Sequence, residues 1–253
     1  MLKKRLIAVL IVRDGHVVQS VRFKHTNAIH YDAVHAIECF NKWAIDEIVM
    51  INVARTPDSR SDFADIVRHV SKECFVPLSA GGWITDEAYA ERLLRSGADK
   101  LVMNTVFEDN PALVESLSAR YGQQCIVGSL DVKLGEDGRT TVWVDRGQRD
   151  TGVAPVAWAQ RMVELGAGEI FFNSIDHDGA RKGYNLPVLN EICAVVPVPV
   201  IAFGGVFGWQ HLVEGLHAGA QAVAAANIFH YTEHSTRKAK RYLVEAGIPV
   251  RSE

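Results

Sequence analysis

Asp131 is the residue of this chain best placed to move a proton. It ends the apolar run 125–131 and is followed by Val132 and Lys133. A carboxylate at the end of a buried strand is a candidate general acid or base; the plainer alternative makes it a charge partner for Lys133. The matching stretch of the first half is Ile11-Val12-Arg13, so the place of a second, facing acid is taken by Ile11, which has no proton to exchange. Two glycine pairs, Gly81-Gly82 and Gly204-Gly205, each follow a short apolar run and read as a matched pair of anion cradles. One βα unit after each comes a strand end that runs into a helix start, Asn104-Thr105 and Ala226-Asn227. Glycine lets backbone N–H groups approach an anion, and a helix N-terminus favours negative charge. Two such cradles predict a ligand with a phosphate at each end, although Trp83 crowds the first. The loop 173–179, with Asp176, Asp178 and Gly179, reads either as turn-forming chemistry or, from its place at the same end, as a further substrate contact. Arg5, Glu47, Lys100 and Glu169 instead open strands: they are either solvated rim residues or, as two acids and two bases around the axis, a ring of salt bridges at the opposite end, a gate for something small.

These residues need a scaffold that brings strand ends together. Val- and Ile-rich runs at 5–12, 47–53, 76–80, 100–104, 125–131, 169–174, 199–203 and 222–226 are apolar on successive positions, as strands covered on both faces are. Helical segments alternate with them. Asn110-Pro111 places a cap before a proline at the first helical position, and Thr85 supplies a hydroxyl cap before an acidic first turn. Eight strands and eight helices in about 250 residues predict a (βα)8 TIM barrel with its chemistry at the C-terminal strand ends. A doubly wound sheet would want GxGxxG after its first strand, where this chain has Asp14-Gly15-His16. The segment 81–107 repeats as 204–229, and 44–48 as 166–170, about 122 residues apart. The barrel is therefore read as two duplicated (βα)4 halves, about 1–123 and 124–253, in one domain spanning 1–253.

Composition removes several classes. The net charge is −3, from 27 basic and 30 acidic residues, which argues against nucleic acid as a partner. The basic run 237–241 reads as a solvated helix face. Cys39, Cys74, Cys125 and Cys193 are too far apart for a metal signature, the ten histidines include no HExxH, and no metal or other cofactor is expected. The apolar run 6–12 is too short for a secretory signal, and no apolar stretch reaches membrane-spanning length. A cytoplasmic protein without membrane contact is expected.

The chain resembles, from end to end, the HisF family, the cyclase subunit of imidazole glycerol phosphate synthase. The motifs that carry the resemblance are Arg13-Asp14-Gly15, Gly97-Ala98-Asp99-Lys100, Asn104-Thr105, Thr151-Gly152, Ser174-Ile175-Asp176 with Asp178-Gly179, Gly183-Tyr184, Gly204-Gly205 and Phe229-His230. The resemblance implies a glutaminase docked on the N-terminal barrel face. It also implies ammonia passing a gate formed by Arg5, Glu47, Lys100 and Glu169, and a phosphate-bearing ribonucleotide cyclised at the C-terminal face. Gly82, Asn104, Thr105, Asp178, Gly179, Gly204, Gly205, Ala226 and Asn227 are the implied phosphate and substrate contacts.

The departures fall on the reaction side. Of the family's two catalytic aspartates, one position holds Asp131 and the other Ile11. A lysine position holds Gln19, an acid position Asn52, a glycine position Trp83 and a serine position Asn227. Losing one acid–base group typically costs ~10²–10⁴-fold. This pattern resembles the HisF-like branch found with surface-glycan (O-antigen) genes. The implied role is an ammonia channel that pairs with a HisH-like glutaminase and serves a sugar amidotransferase making an acetamidino group, with its own cyclase activity lost. The alternative is an active cyclase of histidine biosynthesis.

Overall fold

The computed structural model describes residues 3–230 and 234–251; Met1, Leu2 and the last two residues of the second half lie outside them. Eight parallel strands close into a barrel: β1 (Arg5–Arg13), β4 (Glu47–Asn52), β5 (Leu78–Gly81), β6 (Lys100–Met103), β7 (Ile126–Leu134), β10 (Glu169–Ser174), β11 (Val200–Phe203) and β12 (Ala222–Ala225). β12 pairs with β1 and β7 with β10, which leaves no open edge. The chain is thus a (βα)8 TIM barrel. Around it run α1 (Ala33–Lys42), α2 (Arg60–Glu73), α3 (Glu87–Arg95), α4 (Val106–Asp109), α5 (Pro111–Tyr121), α6 (Pro155–Glu164), α7 (Leu186–Val195), α8 (Trp209–His217), α9 (Asn227–His230) and α10 (Ser235–Glu245).

The strands are apolar at consecutive positions because both faces are covered. In β1, Leu6, Ala8 and Leu10 pack against the helices, whereas Ile7, Val9 and Ile11 face the lumen with Val49, Val102, Val127, Phe171, Ile201 and Phe203. The helix caps follow local chemistry. Asn110 caps α5 through Leu113 N–H and precedes Pro111. At α3 the cap is Asp86, which accepts Tyr89 N–H at 2.8 Å, and not Thr85 as expected; the carboxylate is the stronger acceptor at an N-terminus. α10 is tied to the barrel by Lys240, whose Nζ lies 2.7 Å from Asp46 Oδ1, while Leu6 N–H donates to Asp46 Oδ2 at 2.7 Å.

The repeat reappears in backbone conformation. Left-handed residues follow the matching helices at Ala44 and Gly166, and again at Gly97 and Gly219. It also corrects the alignment of the glycine pairs. β5 ends at Gly81 and β11 at Phe203, so Gly82 corresponds to Gly204 and Trp83 to Gly205, with positive φ at all four. The two pairs are one residue out of register. Two hairpins were not expected: β2 (His16–Val21) with β3 (Lys24–His30) after β1, and β8 (Thr140–Val144) with β9 (Arg149–Asp150) after β7. They extend corresponding strands of the two halves over the C-terminal mouth.

Candidate functional site

Arg5, Glu47, Lys100 and Glu169 are each the first residue of their strand, so the closed barrel brings them together at its N-terminal end. Arg5 Nη1 binds Glu47 Oε1 at 2.7 Å, and its Nη2 pairs with Glu169 Oε1. Lys100 Nζ lies 2.9 Å from Glu169 Oε2 and 3.4 Å from Glu47 Oε2. Each carboxylate therefore gives one oxygen to each base, and the four make a closed ring. Burial opposes the charge on Arg5, but the two carboxylates, Glu169 foremost, more than offset it and raise its pKa.

At the other end, β7 and β1 stand four strands apart in either direction around the barrel, so Asp131 and Ile11 belong to opposite walls of the mouth. Ile11 is buried in the lumen cluster. Asp131 is buried too, and desolvation pushes its pKa up to about 7, against the opposing hydrogen bonds from its neighbours. Asn104 Nδ2 donates to Asp131 Oδ2 at 3.2 Å, and Asn173 Nδ2 to Asp131 Oδ1 at 3.3 Å. Lys133 does not pair with Asp131: its ammonium lies 4.2 Å from the centroid of the Trp143 ring. A carboxyl group poised near neutrality on the buried stretch of β7 can both give and take a proton. Asn173 is the residue that sequence reasoning missed, having counted it only as the start of a turn-rich loop.

The two predicted cradles differ. Asp178, Gly179, Gly204, Gly205, Ala226 and Asn227 line one pocket, together with Phe203 and Val206. Added side chains would not fit there: a Cβ on Gly205 would come within 2.2 Å of Gly183 O. On the first side, Gly82 is held against Asn52, whose carbonyl a Cβ would meet at 2.3 Å. Asn104 is committed to Asp131 and to the carbonyls of Ser129 and Trp143, and Thr105 Oγ1 accepts Asp145 N–H at 3.0 Å. Trp83 turns its indole N–H to Ala54 O at 2.9 Å, beneath Arg146.

The acidic loop after β10 grips backbone. Asp176 Oδ2 accepts Leu134 N–H at 2.7 Å. Asp178 Oδ2 accepts Ser20 Oγ at 2.6 Å and Phe23 N–H at 3.1 Å, and its carbonyl accepts Arg22 N–H. Asp178, expected to contact substrate, thus lines the pocket while its carboxylate pins the tip of the β2–β3 hairpin over the mouth. Among the described residues no group of three or more His, Cys, Asp or Glu side chains could hold a metal ion, and no helix is long and apolar enough to cross a membrane.

Comparison with known proteins agrees with this architecture. The model of a family described as histidine biosynthesis protein matches residues 5–235. Two relatives from Caulobacter vibrioides, strains NA1000 / CB15N and ATCC 19089 / CIP 103742 / CB 15, are each 40% identical over 253 residues, which covers 99% of this chain and 97% of theirs. Both are named imidazole glycerol phosphate synthase subunit HisF. By the family match and by identity over its full length, the chain belongs to the HisF family of histidine biosynthesis proteins.

Proposed function

We propose that this chain, as one (βα)8 domain, is the ammonia-using barrel subunit of a glutamine-dependent imidazole glycerol phosphate synthase. The observation that carries the reading is the closed four-charge ring at one end of an apolar lumen with a near-neutral carboxyl, Asp131, at the other. A glutaminase docks on the N-terminal face and releases ammonia at the ring. Opening one ion pair admits a small neutral molecule, and the apolar lumen favours uncharged ammonia over ammonium. At the mouth, a phosphate of the ribonucleotide sits against Gly204 and Gly205, and Asp131 moves protons as the imidazole ring closes. Ile11 leaves the reaction one acid–base group short, so the cyclase is slow, by ~10²–10⁴-fold relative to a two-acid site.

Ile11, Gln19, Asn52 and Trp83 favour a second reading, in which the same conduit serves a separate sugar amidotransferase that makes an acetamidino group for a surface glycan. The names of the relatives give that reading no support. Turnover of the bisphosphate ribonucleotide with ammonium chloride, without any partner, decides between them. Measurable cyclisation that disappears in Asp131→Asn supports the first reading. No cyclisation, with nitrogen transfer in a three-component assay, replaces it with the second.

A further inference from the structure

Asn173 lies on the same inward row of β10 as Glu169 of the charge ring and Phe171 of the lumen, two residues further toward the mouth each time. The residue is 3% exposed. The amide nitrogen donates to Asp131 Oδ1 at 3.3 Å. The amide oxygen is buried and has no hydrogen-bond partner among the described residues. It lies against the second cradle, so close that a Cβ on Gly204 would come within 2.5 Å of it. An orphaned buried acceptor is destabilising, and most native acceptors are satisfied. Its surroundings say what could satisfy it. The lumen below it is apolar, and the rings of Phe171, on the same strand, and Phe203, level with Asn173 on the next strand, pack together beside it with centroids 5.0 Å apart, which leaves little room. The guest must therefore be small, must carry N–H or O–H donors, and must tolerate a carboxyl group beside it.

We propose that Asn173 Oδ1 and Asp131 form a docking site for ammonia at the top of the lumen, between the proton-moving carboxyl and the ligand held at Gly204–Gly205. This rests on the reading of the barrel as an ammonia-using subunit and adds the residue that holds the nucleophile. One N–H of the guest donates to Asn173 Oδ1, and the guest nitrogen faces Asp131. Asn173 thereby has two tasks: its NH2 fixes the carboxyl, and its oxygen aims the nitrogen. Asp178 is the other acid acting on Asp131, and its carboxylate is engaged by Ser20 and Phe23.

The test needs neither ribonucleotide nor glutaminase. The Asp131 carboxyl is titrated by carbon-13 NMR in the wild-type protein with increasing ammonium chloride, and with tetramethylammonium chloride at equal ionic strength. Ammonia supplied by the ammonium salt and docked beside the carboxyl takes its proton, so the bound pair is ammonium and carboxylate, and the Asp131 pKa should fall because a cation beside a carboxylate favours its charged form. Tetramethylammonium, too large and without N–H groups, should leave it unchanged. In Asn173→Leu, and in Asn173→Ala should the leucine disturb packing, the ammonium concentration for half the shift should rise about tenfold, as expected for one lost hydrogen bond. An unchanged half-shift concentration in the variants, an equal effect of tetramethylammonium, or no ammonium effect in the wild type overturns the site. An intact ammonium shift without cyclase turnover removes only the substrate assignment. Cyclase turnover without an ammonium shift removes only the docking site.

Discussion

The guanidinium of Arg146 lies over the indole of Trp83, with Cζ 5.0 Å from the ring centroid. Arg146 comes from the turn between β8 and β9, and its Nη1 also donates to Arg55 O at 3.0 Å. The stack links three loops of the mouth where the second half keeps an open glycine, Gly205. Inorganic phosphate should therefore bind with one equivalent per chain, at the Gly204–Gly205 pocket. Trp83→Gly removes the platform for Arg146 and should allow a second equivalent. Phosphorus-31 NMR or calorimetry reads the stoichiometry; two equal sites in the wild type would refute the assignment.

Asp178 holds a hairpin tip that is strained by itself. Arg22 and Phe23 have φ of 51° and 60°, a left-handed pair that costs on the order of 1–2 kcal/mol per residue without glycine. In Asp178→Ala the hydrogen bonds to Ser20 Oγ and Phe23 N–H are lost. Hydrogen bonds to a charged group contribute about 1.5–3 kcal/mol, so opening should become ~10–100-fold more frequent. Limited trypsin cleavage after Arg22 or Lys24 should accelerate accordingly, with an unchanged circular dichroism spectrum. Cleavage at the wild-type rate would mean that Asp178 does not pin the tip.

How far these features were legible depends on the kind of signal. All eight barrel strands could be read because burial on both faces writes a continuous apolar run into the chain. The charge ring could be read because Arg5, Glu47, Lys100 and Glu169 stand at the head of such runs. The β2–β3 hairpin could not: β3 is largely polar, β2 carries only a short apolar stretch at Val17-Val18, and the turn uses Arg22 and Phe23 in place of the Asn-Gly or Gly-Gly pairs that announce a tight hairpin. The glycine pairs misled because identical letters look like matched positions, whereas the spacing of the strands and helices around them aligns Trp83 with Gly205. Asn173 was invisible as a site residue because its meaning lies in a contact with Asp131, 42 positions away.

Lys240 and Asp46 form a buried pair whose side chains are 7% and 3% exposed. Removing one partner of such a pair costs about 3–5 kcal/mol, since the other charge stays buried. Lys240→Met should lower Tm by about 10 °C, at roughly 2–4 °C per kcal/mol for a chain of this size. Asp46→Asn in the same chain should recover part of the loss, because the amide oxygen can still accept Leu6 N–H. A melting temperature within about 2 °C of wild type would argue that the pair is solvated.

Lys100→Met leaves one oxygen of Glu47 and one of Glu169 without a base. In the glutaminase complex, glutamine hydrolysis should continue while the ratio of nitrogen transferred to glutamate formed falls well below that of the wild type. An unchanged ratio would count against the ring as a gate.

Asp131 and His230 should shape the dependence of stability on pH in opposite directions. The folded-state pKa of Asp131 is raised from 3.8 to about 7, chiefly by desolvation. Its contribution is fully present below pH ~4 and is lost as pH rises through about 7, because the unfolded chain ionises first. His230 is lowered from 6.5 to about 3, first by burial and then by His30, with which it shares a hydrogen bond of 3.1 Å. His30 is itself lowered by burial and by His35. The contribution of His230 is present above pH ~6.5 and is lost as pH falls toward about 3, because the unfolded chain takes up the proton. Between pH ~4 and ~6.5 the two slopes oppose each other, so the wild-type profile should be nearly flat there. Asp131→Asn should be more stable than wild type at pH 8, by up to a few kcal/mol, and the gain should vanish near pH 4. His230→Phe should flatten the acid limb and leave the alkaline side as in wild type. Urea midpoints across this range measure both. A gain in Asp131→Asn that is equal at pH 4 and pH 8 would show that the carboxyl is ionised in the folded chain throughout, and would remove the near-neutral acid on which the proposed chemistry depends.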